Sequence, residues 1–311
     1  MKAQGVTEFG GPDALHEVEL PDPRPGRGEV RVRVRAAAVN PTDTVLRSGA
    51  RAGTRRADPP QVPGMDAAGT LEEIGEGVDT DLAVGDRVMA IVVPSGSHGA
   101  YAEQLVVPAG SVTRAPAGAD HVAAATLPMN GLTARRALDA LDLREGRTLA
   151  VTGAAGSFGG YVVQLAKADG LRVIADAAPA DEELVRGLGA DVVVERGEGV
   201  VERILEAAPG GVDGLADGAV LDDQVIGAVR DGGGIATVRG FSGQPHRGIT
   251  YHPVRVVDYA QDHARLDQLR AEAENGQVTL RVARSLPARE APEAHRSLEA
   301  GGVRGRLVLE F

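Results

Sequence analysis

The sequence predicts an α/β protein of two domains, with a doubly wound parallel sheet inserted into a β-rich domain. Three observations support this. Short strand patterns separated by Gly and Pro fill the first 117 residues, strand and helix patterns alternate over 147–275, and the last segment returns to strand, helix and strand. Repeated βα units are typical of a parallel sheet covered by helices. We therefore expect one domain over residues 1–117 and 277–311 and a second over 118–276.

The N-terminal part is expected to be mainly β-structure. EVRVRVRAAAV, at 29–39, alternates apolar and polar residues with a period of two, as a half-buried strand does. GTLEEIGEGV and DRVMAIVV indicate further strands, whereas PDPRPGRGE and VPSGSHGA indicate turns. Near residue 117 the spacing becomes helical, interrupted by Pro128, so the domain boundary is placed there.

The central part contains the turn VTGAAGSFGG, at 151–160, between the strand pattern TLAV and the helix pattern YVVQLAKADG. A turn from a buried strand into a helix presents backbone N–H groups and the positive end of the helix dipole to a phosphate. The spacing of Gly153, Gly156 and Gly159 departs from G-x-G-x-x-G, because Ala155 takes the second glycine position and one residue is inserted. The glycines could instead only allow a tight crossover. The following strand, which ends in Asp176, favours a dinucleotide site.

Composition excludes several other classes of function. The net charge of −11 repels nucleic acid and anionic membranes, which favours a small-molecule partner. The absence of cysteine excludes disulfides, Cys-ligated zinc, iron–sulfur clusters and thiolate nucleophiles. The sequence shows neither an apolar leader nor an uninterrupted apolar run of about 18 residues, so we expect a cytoplasmic protein that does not enter a membrane.

A family resemblance runs almost from end to end of the chain. It is carried, in order, by MKAQGVTEFGGPDAL, AAAVNPTDTVLRSG, VPGMDAAGTLEEIGEGV, VGDRVMA, GAYAEQLVVPA, AAATLPMNGLTARRAL, VTGAAGSFGGYVVQLAKADG and GGVRGRLVL. The chain resembles the zinc-independent medium-chain dehydrogenases/reductases of the quinone oxidoreductase, zeta-crystallin-like type. The resemblance implies a GroES-like β-barrel catalytic domain and a Rossmann domain.

The resemblance also implies an activity. This is NAD(P)H-dependent hydride transfer, without a metal, to a quinone or an α,β-unsaturated carbonyl. It implies a homodimer paired through an edge strand near GGIATVRGF. A second hypothesis is a dinucleotide-binding protein with little turnover, acting as a redox sensor or a structural protein.

Zinc-containing relatives carry Cys and His ligands in segments where this chain has other residues. Asn40, the run Gly64-Met65-Asp66 and the pair Met129-Asn130 stand near those places. Asp43, Asp66 and His98 do not make a convincing ligand set. We therefore expect no metal.

The resemblance implies catalytic roles for Asn40, Asp43 and Asn130. Asn40 would face the nicotinamide end of the cleft and donate to the substrate carbonyl, with water or solvent bound by Asn40 completing protonation. Hydrogen bonding within the N-P-T-D turn would equally explain Asn40 and Asp43, and helix capping after Pro128 would explain Asn130 and Thr133. His98 is a further proton source to consider, although a lone His in a Gly/Ser loop is more often solvated.

The expected cofactor-binding residues follow the ends of the central strands, with additions from two other segments. They are Thr133, Gly153, Ala155, Gly156, Ser157, Phe158, Gly159, Asp176, Arg239, Gly240, Phe241 and Arg304.

The acids after the second central strand predict that NADH is used at least as well as NADPH. Asp176 is followed by Asp181, Glu182 and Glu183 before the first cation, Arg186, and an acid at this strand end accepts the ribose hydroxyls but repels a 2′-phosphate. The last three acids could instead favour the next helix N-terminus.

Two arginines and two tyrosines could also reach the cofactor pocket. Arg304 or Arg306 could approach the 2′-phosphate, or lie at a solvated strand end. Tyr251 and Tyr259 could reach the pocket or pack elsewhere.

Overall fold

The computed structural model describes residues 1–50, 56–244 and 246–311. In chain order, the strands of these residues are β1 (Lys2–Glu8), β2 (His16–Glu19), β3 (Glu29–Ala38), β4 (Arg56–Gln61), β5 (Asp66–Ile74), β6 (Arg87–Ile91), β7 (Gln104–Pro108), β8 (Val112–Arg114), β9 (Thr148–Thr152), β10 (Arg172–Ala177), β11 (Val192–Glu195), β12 (Val212–Asp217), β13 (Val229–Thr237), β14 (Thr250–Pro253), β15 (Val282–Pro287) and β16 (Arg306–Glu310). The α-helices are α1 (Pro41–Ser48), α2 (His121–Ala124), α3 (Pro128–Leu141), α4 (Ser157–Ala168), α5 (Glu182–Gly187), α6 (Val200–Ala207), α7 (His263–Glu274) and α8 (Ala291–Ala300).

The chain divides into two compact units. Unit 1 comprises Met1–Met129, Val257–Asn275 and Leu280–Phe311, and unit 2 comprises Asn130–Val256 and Gly276–Thr279.

Unit 1 is built mainly from antiparallel strands. A larger sheet has the order β15-β16-β3-β5-β6-β8, with β7 also paired to β3, and a smaller sheet has the order β2-β1-β4. The long strand β3 joins three neighbours, because its first half pairs with β7, its last residues pair with β16, and β5 covers its other edge. The predicted alternation of β3 holds, since Val30, Val32 and Val34 are buried and pack in the core of this unit. The antiparallel β-structure that the predicted fold class includes is thus confirmed.

Unit 2 is a doubly wound parallel sheet. Its strand order is β11-β10-β9-β12-β13-β14, and each neighbouring pair is parallel. The order runs outward in opposite directions from β9 and β12, so the topological switch point lies between these two strands. Ligands of such sheets bind beyond the carboxyl ends of the strands at that point. The predicted α/β class is confirmed.

The unit boundaries differ from the predicted domain boundaries. Unit 1 continues to Met129 rather than ending at 117, and it also holds helix α7, which the sequence placed in the Rossmann domain. Contacts with the β-rich part explain the position of α7: Thr113 donates to the Asp267 carboxylate at 2.7 Å, and the His263 ring is 2.8 Å from the Val112 carbonyl. These pairs are far apart in sequence, so periodicity did not indicate them.

The segment GGIATVRGF is not an edge strand, which corrects the sequence-based prediction. Most of it forms the end of β13, which pairs with β12 on one side and with β14 on the other. The short strand Thr250–Pro253 therefore forms that edge of the sheet.

Candidate active site

The glycine-rich turn of unit 2 joins β9 to α4 at the switch point. Gly153 follows the last residue of β9 and has a φ of 65°, a left-handed conformation that favours glycine. Gly156 N donates to the Gly153 carbonyl at 3.0 Å and closes the turn, and α4 begins at the next residue. The first turn of a helix directs backbone N–H groups toward its N-terminus, where an anion is stabilised.

Two glycines of this turn have no room for a side chain. A Cβ on Gly159 would lie 2.4 Å from the Gly153 carbonyl oxygen and 2.8 Å from Ala154 Cα. A Cβ on Gly153 would lie 2.8 Å from the Gly218 carbonyl carbon, just beyond β12. Both glycines are required by close backbone packing, which leaves the turn tight enough for a pyrophosphate to approach its main chain. The turn thus fits a dinucleotide.

Asp176 lies within β10 and is 3% exposed. Its Oδ1 accepts a hydrogen bond from Ala154 N at 3.3 Å, so the carboxylate supports the backbone of the glycine turn. Burial raises the pKa of Asp176, while the N–H groups of Ala154 and Gly153 act in the opposite direction. A ribose-binding role was predicted for Asp176, and the structure adds this positioning role.

Three of the five non-glycine residues with a positive φ in the described part of the chain follow strand ends at the same edge of unit 2. Val220 and Asp222, which follow β12, have φ angles of 58° and 54°, and Arg239, which follows β13, has a φ of 62°. Non-glycine residues rarely adopt this conformation, and such strain is commonly found at ligand sites. Together with the glycine turn, these residues mark the carboxyl edge as the binding edge.

The segment Arg239–Phe241 forms an ordered loop after β13. Thr237 Oγ1 donates to the Phe241 carbonyl at 2.6 Å, and the Phe241 ring meets Tyr251 edge-on at a centroid distance of 5.7 Å. Tyr251 donates its hydroxyl to Asp223 at 2.8 Å, and burial beside this acid raises the pKa of Tyr251 to about 12. Tyr251 therefore has a packing role, as one of the sequence-based alternatives stated.

The remaining predicted cofactor residues are spread over both units. Phe158, in the first turn of α4, packs against Gly218. Thr133 is buried within α3, and Asn130 lies in the same helix. Arg304 is exposed in unit 1, just before β16. Ala155 and Ser157 flank Gly156 at the start of α4.

In unit 1, the buried centre is an ion pair between Asp66 and Arg306. Their side chains are 0% and 4% exposed, and Asp66 Oδ2 is 2.8 Å from Arg306 Nη2. Asp66 Oδ1 also accepts from Met129 N at 2.6 Å, and Asp66 Oδ2 accepts from Asn40 Nδ2 at 2.8 Å. Arg306 is neither at a solvated strand end nor available for a phosphate, which corrects both sequence-based alternatives.

Asn40 is completely buried, and its amide is saturated with hydrogen bonds. Nδ2 donates to the Ala38 carbonyl and to Asp66, while Oδ1 accepts from Arg306 Nη2 at 2.8 Å. The amide has two N–H donors, and both are used within the protein. The expected donation from Asn40 to a substrate carbonyl is therefore corrected: in this geometry Asn40 is a positioning residue.

A second buried chain of polar groups begins at Asp43. The carboxylate accepts from Asn40 N at 2.8 Å, from Gly64 N at 3.0 Å and from the Tyr101 hydroxyl at 3.1 Å. The Tyr101 oxygen also lies 3.1 Å from His295 Nε2. Asp43 thus fixes the start of α1 and the neighbouring loop rather than facing a ligand.

Arg47 determines the direction of the hydrogen bonds among His295, Tyr101 and Asp43. Its Nη1 lies 3.3 Å from His295 Nδ1, and because arginine can only donate, Nδ1 must accept and Nε2 must carry the proton. His295 then donates to Tyr101, and Tyr101 donates to Asp43. Burial and the Arg47 charge lower the pKa of His295 to about 3, which agrees with a neutral ring. Burial raises the pKa of Asp43 to about 7, against the effect of its three donors.

The residues considered for a metal do not fit a zinc ion. Asp66 is neutralised by Arg306, Asp43 is occupied by three donors, and His98 belongs to neither group. Among the described residues, no group of three or more His, Asp or Glu could hold a metal ion. No α-helix of the described residues is long and apolar enough to cross a membrane.

Sequence reasoning missed Tyr101 and His295 and misassigned Arg306. They lie 58, 194 and 266 residues from their partners Asp43, Tyr101 and Asn40. Short-range sequence patterns do not indicate which residues meet across such distances in the chain. A weak signal was available in β16, where Arg306 opens an apolar strand whose other early residues are buried.

Two family models match the chain. Residues 26–117 match the alcohol dehydrogenase GroES-like domain, and residues 188–309 match a domain described as zinc-binding dehydrogenase.

Full-length structural similarity is high. A mycobacterial quinone oxidoreductase is 30% identical, with 100% of both chains covered and a TM-score of 0.83. A mycobacterial protein solved in complex with NADPH is 29% identical, again over 100% of both chains, with a TM-score of 0.87.

Three of the curated relatives are matched over about three fifths of their length. The NADPH-dependent alkenal/one oxidoreductase of Arabidopsis thaliana chloroplasts is 32% identical over 77% of this chain and 63% of its own. For the next two relatives, the chain covers 58% and 59% of their length. The predicted family is confirmed by the domain matches and by the full-length similarity: the chain belongs to the medium-chain dehydrogenase/reductase family.

Proposed function

We propose that this protein is an NAD(P)H-dependent oxidoreductase that reduces a quinone or an α,β-unsaturated carbonyl. The observation that carries the proposal is the turn at the switch point of unit 2, where Gly159 has no room for a Cβ. The names of the relatives, which include quinone and alkenal/one oxidoreductases, support the substrate class.

Bound NAD(P)H would supply a hydride, and the chain's residues would bind and orient it. The turn Gly153–Gly159 would hold the pyrophosphate, with Asp176 fixing the turn through Ala154. In unit 1, the Asp66–Arg306 pair holds Asn40 rigidly.

The electron and proton balance needs no metal. The acceptor gains a hydride and one proton, so a quinone becomes a hydroquinone and an enone becomes a saturated ketone. A quinone or enone delocalises the incoming charge itself, and Asn40 has no N–H left for a substrate, so water is the proton donor in this proposal. The absence of a metal requirement is part of the proposal, and it is supported by the occupied carboxylates of Asp43 and Asp66.

Isotope transfer tests the proposal directly. The enzyme is given an enone and a nicotinamide cofactor deuterated stereospecifically at C4, and the product is examined by mass spectrometry. Deuterium at the β-carbon from one of the two cofactor diastereomers is expected. Turnover without deuterium in the product would reject direct hydride transfer, and cofactor binding without oxidation by any quinone or enone would favour the low-turnover hypothesis.

The preference for NADH is the finer part of the cofactor proposal. It depends on the acids Asp176, Asp181, Glu182 and Glu183, whose negative charge disfavours a 2′-phosphate. The relatives give it no support, since one is named NADPH-dependent and one was solved with NADPH. A kcat/KM for NADPH at least about tenfold above that for NADH, equal to about 1.4 kcal/mol, would reject the preference.

A homodimer and a cytoplasmic location complete the proposal. The dimer would pair through the edge strand β14, because its free edge offers backbone groups to a second copy. Pro253 ends that strand and limits the pairing to a few residues. Light scattering at micromolar concentration tests the dimer, with Tyr251→Pro as the disrupting variant, and a monomeric wild-type protein would reject it.

A further inference from the structure

The carboxyl end of β12 contains a buried acid, Asp217. The residue is 1% exposed, and both oxygens of its side chain accept hydrogen bonds. Oδ1 accepts from the Thr152 hydroxyl at 2.6 Å, and Oδ2 accepts from Asp222 N at 2.7 Å. Because Thr152 is the last residue of β9, the first of these bonds joins the two strands between which the topological switch point lies.

Thr152 extends this contact to the loop after β12. Its hydroxyl oxygen accepts from Ala219 N at 3.2 Å, and its carbonyl accepts from Gly218 N at 3.1 Å. Thr152 and Asp217 together therefore bind the backbone N–H groups of Gly218, Ala219 and Asp222. We call residues 218–222 the switch loop.

The switch loop has a conformation that its local sequence does not favour. Val220 and Asp222 have φ angles of 58° and 54°. A β-branched residue such as Val220 rarely adopts a positive φ, because its Cβ then crowds the neighbouring backbone. The bonds to Ala219 N and Asp222 N lie on both sides of Val220, so Thr152 and Asp217 hold the loop in this conformation.

The switch loop lies against the glycine turn of the same unit. A Cβ on Gly153 would be 2.9 Å from Ala219 N, and a Cβ on Gly218 would be 3.0 Å from Phe158 Cδ1. Gly153 follows β9, and Phe158 lies in the first turn of α4. The loop therefore borders the N-terminus of α4, where the pyrophosphate would bind.

Stability alone does not explain a carboxylate at this position. Among the residues that the structure describes, no Lys, Arg or His forms an ion pair with Asp217. Burying a charge without a counter-charge is unfavourable, and a neutral side chain of similar volume would cost less. What the carboxylate supplies is two acceptors at once, one for the Thr152 hydroxyl and one for Asp222 N.

We propose that Asp217 is a positioning residue of the cofactor site, which fixes the switch loop for the nicotinamide half of the dinucleotide. This inference rests on the proposed function. A dinucleotide binds across the switch point with one half on each side, and the acid that follows the glycine turn marks the adenosine side. That acid, Asp176, lies in β10, so β12 and the switch loop belong to the other half.

Asp217→Asn and Asp213→Asn form a matched pair of variants. Both acids lie on β12, near opposite ends, and each accepts from a backbone N–H, since Asp213 Oδ2 is 2.8 Å from Thr148 N. Asparagine at 217 leaves one acceptor oxygen where two are used. NADH binding is measured by fluorescence titration, and AMP, which contains only the adenosine half, is measured as a competitor. Asp217→Asn is expected to raise the Kd of NADH about 10-fold or more and to leave that of AMP unchanged, whereas Asp213→Asn should change neither.

Three results would overturn the inference. They are an unchanged Kd for NADH in Asp217→Asn, the same loss in Asp213→Asn, and an equal loss for AMP, which would assign the effect to the glycine turn. Wild-type protein that binds neither NADH nor NADPH would reject the proposed function and this inference with it.

Substitution of Thr152 decides the question if Asp217→Asn does not fold. Thr152→Val removes the hydroxyl at nearly constant volume and should raise the Kd of NADH, whereas Thr152→Ser keeps the hydroxyl and should bind NADH as the wild type does. Equal Kd values in these two variants would also overturn the inference.

Discussion

Gly159 is the position at which one methyl group tests the proposed cofactor site. An alanine Cβ there would lie 2.4 Å from the Gly153 carbonyl oxygen, whereas ordinary contacts begin at 3.4 Å, so the turn must move by about 1 Å. The obstacle is backbone on both sides, which cannot rotate away as a side chain would. Gly159→Ala is therefore expected to pull the N–H groups of the turn out of line with a bound pyrophosphate.

The expected loss of affinity follows from the contact that is broken. One hydrogen bond to a charged partner contributes about 1.5–3 kcal/mol, which corresponds to a rise in Kd of about 10- to 150-fold. The assay is titration of NADH and NADPH fluorescence, which is free of tryptophan background because the chain contains no Trp.

Gly187→Ala is the matched control for this experiment. Gly187 lies in α5 of the same unit, a Cβ there meets nothing within 4 Å, and its φ is not positive. The control is expected to bind cofactor as the wild type does. A folded Gly159→Ala variant with wild-type affinity, or an equal loss in Gly187→Ala, would refute the assignment of the turn.

The buried charges give two further predictions. Asp66→Asn leaves Arg306 buried without its counter-charge and should lower the free energy of unfolding, measured by chemical denaturation, by about 3–5 kcal/mol. The control Arg27→Met breaks an exposed ion pair and should lower it by only about 0–1 kcal/mol. Equal losses in the two variants would contradict the larger value expected for Asp66→Asn. Burial and Arg47 lower the pKa of His295 to about 3, whereas the usual pKa of histidine is 6.5. Below pH 6.5 the unfolded chain therefore takes up a proton at His295 while the native ring stays neutral. The stability that the neutral His295 ring contributes is lost as the pH falls from about 6.5 toward 3. Between pH 6.5 and 5 the wild type should lose about 1.6 kcal/mol more than His295→Gln, because the unfolded imidazole is half protonated at pH 6.5 and reaches the full slope of about 1.36 kcal/mol per pH unit only below that. Identical pH profiles for wild type and His295→Gln would show that His295 is not buried as a neutral ring.

Local sequence patterns predicted the strands and helices, as two segments show. The period of two in EVRVRVRAAAV became the half-buried β3, and Pro128 separated α2 from α3 because proline interrupts a helix but begins one readily. The glycine turn was found because a crossover of backbone on backbone leaves no alternative residue at Gly159.

The candidate site was only partly accessible from sequence. Asn40 was found by resemblance, but whether its amide faces a substrate depends on Asp66 and Arg306, which lie 26 and 266 residues away. Asp176 was read as free for a ribose, and the structure shows that its carboxylate supports the turn through Ala154. The alternation of a strand defines which residues share a face, but it does not define what each face meets.

The sequence by itself determined the two-domain α/β class, the family and the position of the glycine turn, because each depends on interactions between residues near each other in the chain. Only the tertiary structure decided that Arg306 neutralises Asp66, that Asn40 is saturated, and that hydrogen bonds connect His295 to Tyr101 and Tyr101 to Asp43. Hydrogen bonds and burial are properties of neighbours in space, and here those neighbours come from opposite ends of the chain.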